Sequence, residues 1–253
     1  MNRVVYFELP ASDPRVTAEF YHKVFGWQIG SYPEVPDYLV LVSGPEQGFG
    51  ISGGVMGKYM DYVTNHIAVD NIDQYLEKVV SQGGKITTDK MYVSKLGWFA
   101  WCVDPQENMF VLAQKDKSFG EVMHDMGADE KFKVRGRVVH FEIPADDPEQ
   151  LADFYRVVFG WEIEKWAGPI EYYMVSTGNR EEFGIDGAIM RRGNVTGTVN
   201  TIGIADLDET IALVLASGGQ VVMEKEKIPG VGWFTYCADP SGNLFGLMQP
   251  DMS

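Results

Sequence analysis

His140 and Glu142 lie two residues apart in Val138-Val139-His140-Phe141-Glu142-Ile143, and Tyr6 and Glu8 stand in the same relation in Val4-Val5-Tyr6-Phe7-Glu8-Leu9. Side chains two apart on an extended strand leave from one face, so each pair points one way while Val5, Phe7 and Leu9, or Val139, Phe141 and Ile143, point the other. Histidine titrates near neutral pH, and apolar enclosure raises a glutamate toward the same range, which makes His140 and Glu142 candidates for general acid–base work. Glu8 and Glu142 equally suit a polar anchor for a ligand, while a glutamate on a rim is merely solvated. His66 has the same two readings, a binding or catalytic group or a histidine hydrogen-bonded into a polar patch.

These residues sit in a chain that repeats itself. Val4-Val5-Tyr6-Phe7-Glu8-Leu9-Pro10-Ala11 returns as Val138-Val139-His140-Phe141-Glu142-Ile143-Pro144-Ala145, Phe25-Gly26-Trp27 as Phe159-Gly160-Trp161, Gly97-Trp98-Phe99 as Gly232-Trp233-Phe234 and Asp104-Pro105 as Asp239-Pro240. The offset is constant through Met56 and grows by one residue in the second copy between Met190 and Thr201. A period this long makes each copy a domain rather than a solenoid turn. Residues 1–114 and 137–253 are the expected domains and 115–136 a polar linker. Within a copy, a strand leads through Asp13-Pro14 or Asp147-Pro148 into a helix that stops at Gly26 or Gly160. Strands over Tyr38–Val42 and Ile51–Met56 follow, then a second strand–helix unit from His66 to Gly83-Gly84, and strands over Gly97–Val103 and Met109–Ala113. Each copy reads as βαβββ written twice, an α+β architecture of four modules.

Composition removes several classes of function. Of the 253 residues, 45% are hydrophobic and 23% charged, as in a folded globular chain. The net charge of −15 repels nucleic acid and anionic membrane surfaces. No apolar run is long enough for a membrane helix, and Met1-Asn2-Arg3 leads directly into a strand, so a cytoplasmic location is expected.

The order of these marks, ending in Asp239-Pro240-Ser241-Gly242-Asn243-Leu244-Phe245-Gly246-Leu247, resembles the vicinal oxygen chelate superfamily of glyoxalases, extradiol dioxygenases and bleomycin-resistance proteins. The resemblance implies that two βαβββ modules curl their sheets around one cup, so that this chain holds two. It also implies metal-ligand positions, which fall on Tyr6, His66 and Val111 in the first copy and on His140, Thr201 and Gly246 in the second, with Asp186 as a further acidic candidate. Val111 and Gly246 have no side-chain donor, so the set is incomplete in both cups. No cofactor follows from these residues beyond the divalent metal that the family uses.

Trp98 and Trp233 lie on the aromatic strands that open at Gly97 and Gly232, on the alternating face shared with small or polar neighbours. That face is the expected cup wall, where an indole stacks on a flat ligand, although a tryptophan filling core space fits equally. Trp27 and Trp161 are expected to lock helix to sheet, and Cys102 and Cys237 to be small buried hydrophobes. Gly83-Gly84 and Gly218-Gly219 follow helices and end them, which is the wrong context for a phosphate loop. Beside a structural or interaction role, two functions stay open. One is a binding protein for a small aromatic or apolar molecule, with Tyr6, Glu8, His66, Trp98, Thr201 and Trp233 as ligand contacts. The other is a metal-dependent glyoxalase-like or dioxygenase-like enzyme using His140 with Glu142, or His66 with Glu8. The partner is a small molecule, neither nucleic acid nor membrane, and the oligomeric state is open. The second copy, with His140 and Glu142 on one face and room expected over Gly246, is the expected seat of activity.

Overall fold

The computed structural model describes residues 2–32, 35, 37–45, 49–57, 61–116, 134–168 and 170–251. Most of the expected linker, including Gly120, Gly127, Lys131 and Lys133, lies outside the described residues. The first copy contains β1 (Val4–Ala11), α1 (Pro14–Phe25), β2 (Gln28–Ser31), β3 (Tyr38–Val42) and β4 (Gly53–Gly57), then β5 (Thr64–Ala68), α2 (Ile72–Ser81), β6 (Lys85–Ile86), β7 (Met91–Val93), β8 (Gly97–Val103) and β9 (Met109–Lys115). The second contains β10 (Gly136–Ala145), α3 (Pro148–Phe159), β11 (Glu162–Lys165), β12 (Tyr172–Ser176) and β13 (Asp186–Arg191), then β14 (Val199–Ile204), α4 (Leu207–Ala216), β15 (Gln220–Val221), β16 (Glu226–Ile228), β17 (Gly232–Ala238) and β18 (Leu244–Pro250). Short edge strands such as β2, β6 and β7 go beyond what the sequence periodicity marked. None of the described helices is long and apolar enough to cross a membrane.

Local chemistry sets the boundaries. The Asp13 carboxylate accepts from the Arg15 and Val16 amides, Pro14 occupies the first turn of α1, and Gly26 closes the helix at φ 74°. Asp147, Pro148 and Gly160 do the same for α3, with φ 70° at the glycine. The strands form two curled mixed sheets of nine, ordered β2-β3-β4-β1-β5-β9-β8-β6 with β7 on β8, and β11-β12-β13-β10-β14-β18-β17-β15 with β16 on β17. This is an α+β fold. Under α1, the Phe7 ring lies over Gly53, where a Cβ would come within 2.3 Å of it, and packs 5.8 Å from Trp27. Phe141, Gly187 and Trp161 repeat that arrangement under α3, again with 5.8 Å between the rings.

Compactness does not follow the repeat. One unit comprises Met1–Tyr6, Thr64–Gly127 and Phe141–Thr198, and the other Phe7–Val63, Ala128–His140 and Val199–Ser253. Each therefore combines one module from either copy. In the first, the Tyr155 hydroxyl donates to Asp104 at 3.1 Å and Phe110 packs against Phe154, Tyr155 and Phe159. In the second, Tyr21 donates to Asp239 at 3.3 Å and Phe245 sits among Phe20, Tyr21 and Phe25. Each aspartate also ties its own Asp-Pro turn together, Asp104 through Gln106 and Asn108 and Asp239 through Ser241 and Asn243. Burial, and then the neighbouring aspartate, hold both tyrosine hydroxyls well above their ordinary range, and burial raises both aspartates. Trp27 and Trp161 stack on Tyr21 and Tyr155 at 5.0 and 4.8 Å, so they join helix to sheet as expected.

Candidate functional site

Glu8 and Glu142 are 4% and 7% exposed, which removes the solvated-rim reading. Each accepts a hydrogen bond from a tyrosine on a neighbouring strand, Tyr38 to Glu8 at 3.1 Å and Tyr172 to Glu142 at 2.9 Å. Register explains the reach. β1 runs parallel to β4 with Glu8 opposite Gly54, and β3 runs antiparallel to β4 with Val40 opposite Gly54. The phenol of Tyr38 crosses directly over Gly54, where a Cβ would stand 2.2 Å from its oxygen. In the second copy Ala188 replaces that glycine and Tyr172 still reaches Glu142. Sequence reasoning missed both tyrosines, although they occupy equivalent places in the repeat, as the two glutamates do.

The other candidates divide between the two units. In the first, His66 is 5% exposed, with its ring 5.2 Å from Tyr6 and 5.9 Å from Phe99, and it pairs in register with the fully buried Val111. In the second, Thr201 stands in the place of His66, opposite Gly246. Its hydroxyl is buried and has no hydrogen-bond partner among the described residues. The room expected over Gly246 is absent. A Cβ there would meet the Thr201 hydroxyl at 2.5 Å and the Phe234 ring at 2.8 Å, because that ring folds into the gap and packs edge-on to Tyr236. His140 is half-buried on β10, in the strand it shares with Glu142.

Trp98 and Trp233 require a correction. Alternation separates the two faces of β8 as expected, but the aromatic that touches His66 is Phe99. Trp98 leaves from the opposite face, the one that also carries the buried Ala100 and Cys102, and lies 36% exposed against Tyr92 and Lys90. Trp233 is 39% exposed with Lys225 and Lys227 over its ring. Small residues on that face allow a helix to approach the sheet, so a mixed small and aromatic pattern marked the helix side. Asp186 is also engaged structurally, taking the Arg3 guanidinium at 3.2 Å and the Thr177 amide at 3.0 Å. Cys102 and Cys237 are buried, and burial pushes both thiols up to about 12, which leaves them unreactive at neutral pH.

Residues 137–247 match the family model described as Glyoxalase/Bleomycin resistance protein/Dioxygenase superfamily. The second copy is therefore similar to this superfamily. The protein named "Putative glyoxylase CFP32" of Mycobacterium bovis is 27% identical over 259 residues, an alignment covering 97% of this chain and 94% of that one. A Glyoxylase-like domain-containing protein of Didymella fabae is 28% identical over 120 residues, which cover 45% of this chain and 94% of the relative. Among solved structures, the Mn(II)-bound glyoxalase from Novosphingobium aromaticivorans superposes with a TM-score of 0.66 at 13% identity, covering 98% of this chain and 83% of that one. The 2,3-dioxygenase LapB from Pseudomonas sp. KL28 gives 0.66 at 12% identity, covering 98% and 91%. At these identities the superpositions speak for the fold.

The superfamily implies a divalent metal, and the side chains present do not fit one. A catalytic site of this kind takes about three protein ligands. Val111, which pairs with His66, and Gly246, which pairs with Thr201, offer no side-chain donor at positions where the resemblance implies a closing carboxylate. Among the described residues, no group of three His, Cys, Asp or Glu side chains is arranged to hold an ion.

Proposed function

We propose that the chain is a small-molecule-binding member of the superfamily that takes flat aromatic or apolar molecules on the helix-free faces of its sheets. The repeated Glu–Tyr pair carries this reading. The two copies have diverged at every metal-type position, yet both keep a buried carboxylate that accepts from a half-buried phenol. Because each tyrosine gives its proton to the glutamate, its oxygen offers lone pairs to a ligand hydroxyl. A ring that stacks on a flat ligand adds about 0.5–1.5 kcal/mol. Equilibrium dialysis with naphthol, together with metal analysis of the purified protein, tests this. The expected result is metal-free protein that binds naphthol, with affinity about 3- to 10-fold weaker in a Tyr38→Phe, Tyr172→Phe double variant, the loss of about one hydrogen bond. Unchanged affinity in that variant overturns the assignment.

Likeness to a Mn(II)-bound glyoxalase favours a second reading, a metal-dependent glyoxalase-like or dioxygenase-like enzyme in which His140 and Glu142 do the acid–base work. Near-stoichiometric divalent metal that is lost in His140→Ala would establish it over the first.

A further inference from the structure

Thr201, Gly246 and Tyr236 form a row across three strands, because Thr201 on β14 pairs with Gly246 on β18 and Gly246 pairs with Tyr236 on β17. Phe234, two residues before Tyr236, leaves from the same face, and its ring lies 4.7 Å from that of Tyr236. A Cβ on Gly246 would stand 2.8 Å from the Phe234 ring and 2.5 Å from the Thr201 hydroxyl, so the ring edge and the hydroxyl converge on one point of the backbone. Both side chains are buried, and the hydroxyl has no hydrogen-bond partner among the described residues. A buried hydroxyl left unpaired is unfavourable, and the carbon edge of a phenyl ring cannot offset it.

The first copy shows that the frame does not require a ring in this place. There Val111 carries a side chain where Gly246 has none, and Phe99, the counterpart of Phe234, stays half-buried with its ring against His66. In the second copy the glycine admits a flat ring, and the threonine beside it offers a donor that Phe234 leaves unanswered. Close packing gives a replacement little more volume than a phenyl ring. A six-membered ring with nitrogen at its edge has that size and flatness and accepts a hydrogen bond from a hydroxyl. We propose that Phe234 is a displaceable plug over a binding site for neutral nitrogen-heteroaromatic rings, in which Thr201 donates to the ring nitrogen and Tyr236 packs against the ring. Tyr236 is half-buried, so solvent reaches this face beside the plug, and a rotamer change of one side chain exchanges the plug for the ligand while the strands stay in place. The proposal rests on the reading of the helix-free faces as binding surfaces and deepens it, naming for the second sheet the kind of ring and the group that recognises it.

Titration of the whole protein in neutral buffer with pyridine and with benzene, followed by NMR of the aromatic side chains, tests it. The two rings have one shape and differ in hydration, so the informative quantity is the change between variants. Pyridine is expected to saturate one site per chain. Thr201→Val should weaken it about 3- to 10-fold, the loss of one neutral hydrogen bond, without weakening benzene, and Thr201→Ser should keep the wild-type affinity. Phe234→Ala should tighten both rings, since no plug has then to be displaced, and Phe234→Leu makes the same test with less loss of volume. Four results overturn the proposal: no saturable pyridine binding in the wild type and Phe234→Leu, pyridine affinity unchanged in Thr201→Val, equal weakening of both rings in Thr201→Val, or weaker binding of both rings in the two Phe234 variants. Naphthol dialysis on the Tyr38→Phe, Tyr172→Phe variant keeps Thr201 and Phe234 intact, so it reads the Glu–Tyr assignment separately.

Discussion

The two copies share one frame and differ in what the frame holds. Phe7 on Gly53 beside Trp27 matches Phe141 on Gly187 beside Trp161, to the same ring separation of 5.8 Å. The polar positions have parted: His66 against Thr201, Tyr6 against His140, Val111 against Gly246, and Asp37 against an ion-paired Glu171. The Glu–Tyr pairs persist. A packed ring tolerates almost no change in volume, whereas a polar side chain on a helix-free face can be exchanged as long as its replacement finds partners. Equivalence in the repeat therefore separates the parts that hold the fold from the parts free to acquire a ligand.

The frame should break equally in both copies. Phe7→Ala and Phe141→Ala are each expected to cost about 3–5 kcal/mol by chemical denaturation, the usual range for a buried aromatic. A clear difference between them would show that one copy carries the stability.

A smaller effect is expected at the paired tyrosines. Tyr21→Phe and Tyr155→Phe should each cost about 1–2 kcal/mol near neutral pH, since each aspartate loses one of several hydrogen bonds. The pH dependence is sharper. Unfolded tyrosine ionises near pH ~10, while the folded hydroxyls are held well above this, so above pH ~10 the folded state binds more protons and stability falls as pH rises. The expected slope is about 1.4 kcal/mol per pH unit for each hydroxyl, and each Phe variant should remove its share. An unchanged alkaline slope in both variants would contradict the buried pairing.

The smallest effect tests the asymmetry itself. The Thr201 hydroxyl is buried without a partner among the described residues, so Thr201→Val should raise stability by about 1 kcal/mol, read as a shift in denaturation midpoint. A loss of stability would mean that the hydroxyl is satisfied in solution.

Much of this molecule was legible from residue order. The internal repeat, the Asp-Pro helix starts, the glycine stops, the alternation along β1 and β10 and the burial of both cysteines all depend on residues close in sequence. The sharing of one strand face by Glu8 and Tyr6, and by Glu142 and His140, is of the same kind. Other features were decided between distant segments. The tyrosine that meets each glutamate depends on a three-strand register, in which the Tyr38 phenol crosses β4 directly over Gly54. Periodicity shows that β8 has two faces but not which one a helix will cover, so Phe99 rather than Trp98 came to lie against His66. Gly246 looked like free space until the ring of Phe234, twelve residues upstream on a paired strand, filled it. Likewise, the compact units join modules from different copies, because a helix buries its apolar face against whichever surface complements it. Local order determines which elements form and which way each side chain leaves the backbone; what that side chain meets is set by strand register and close packing, which bring together residues with no relation along the chain.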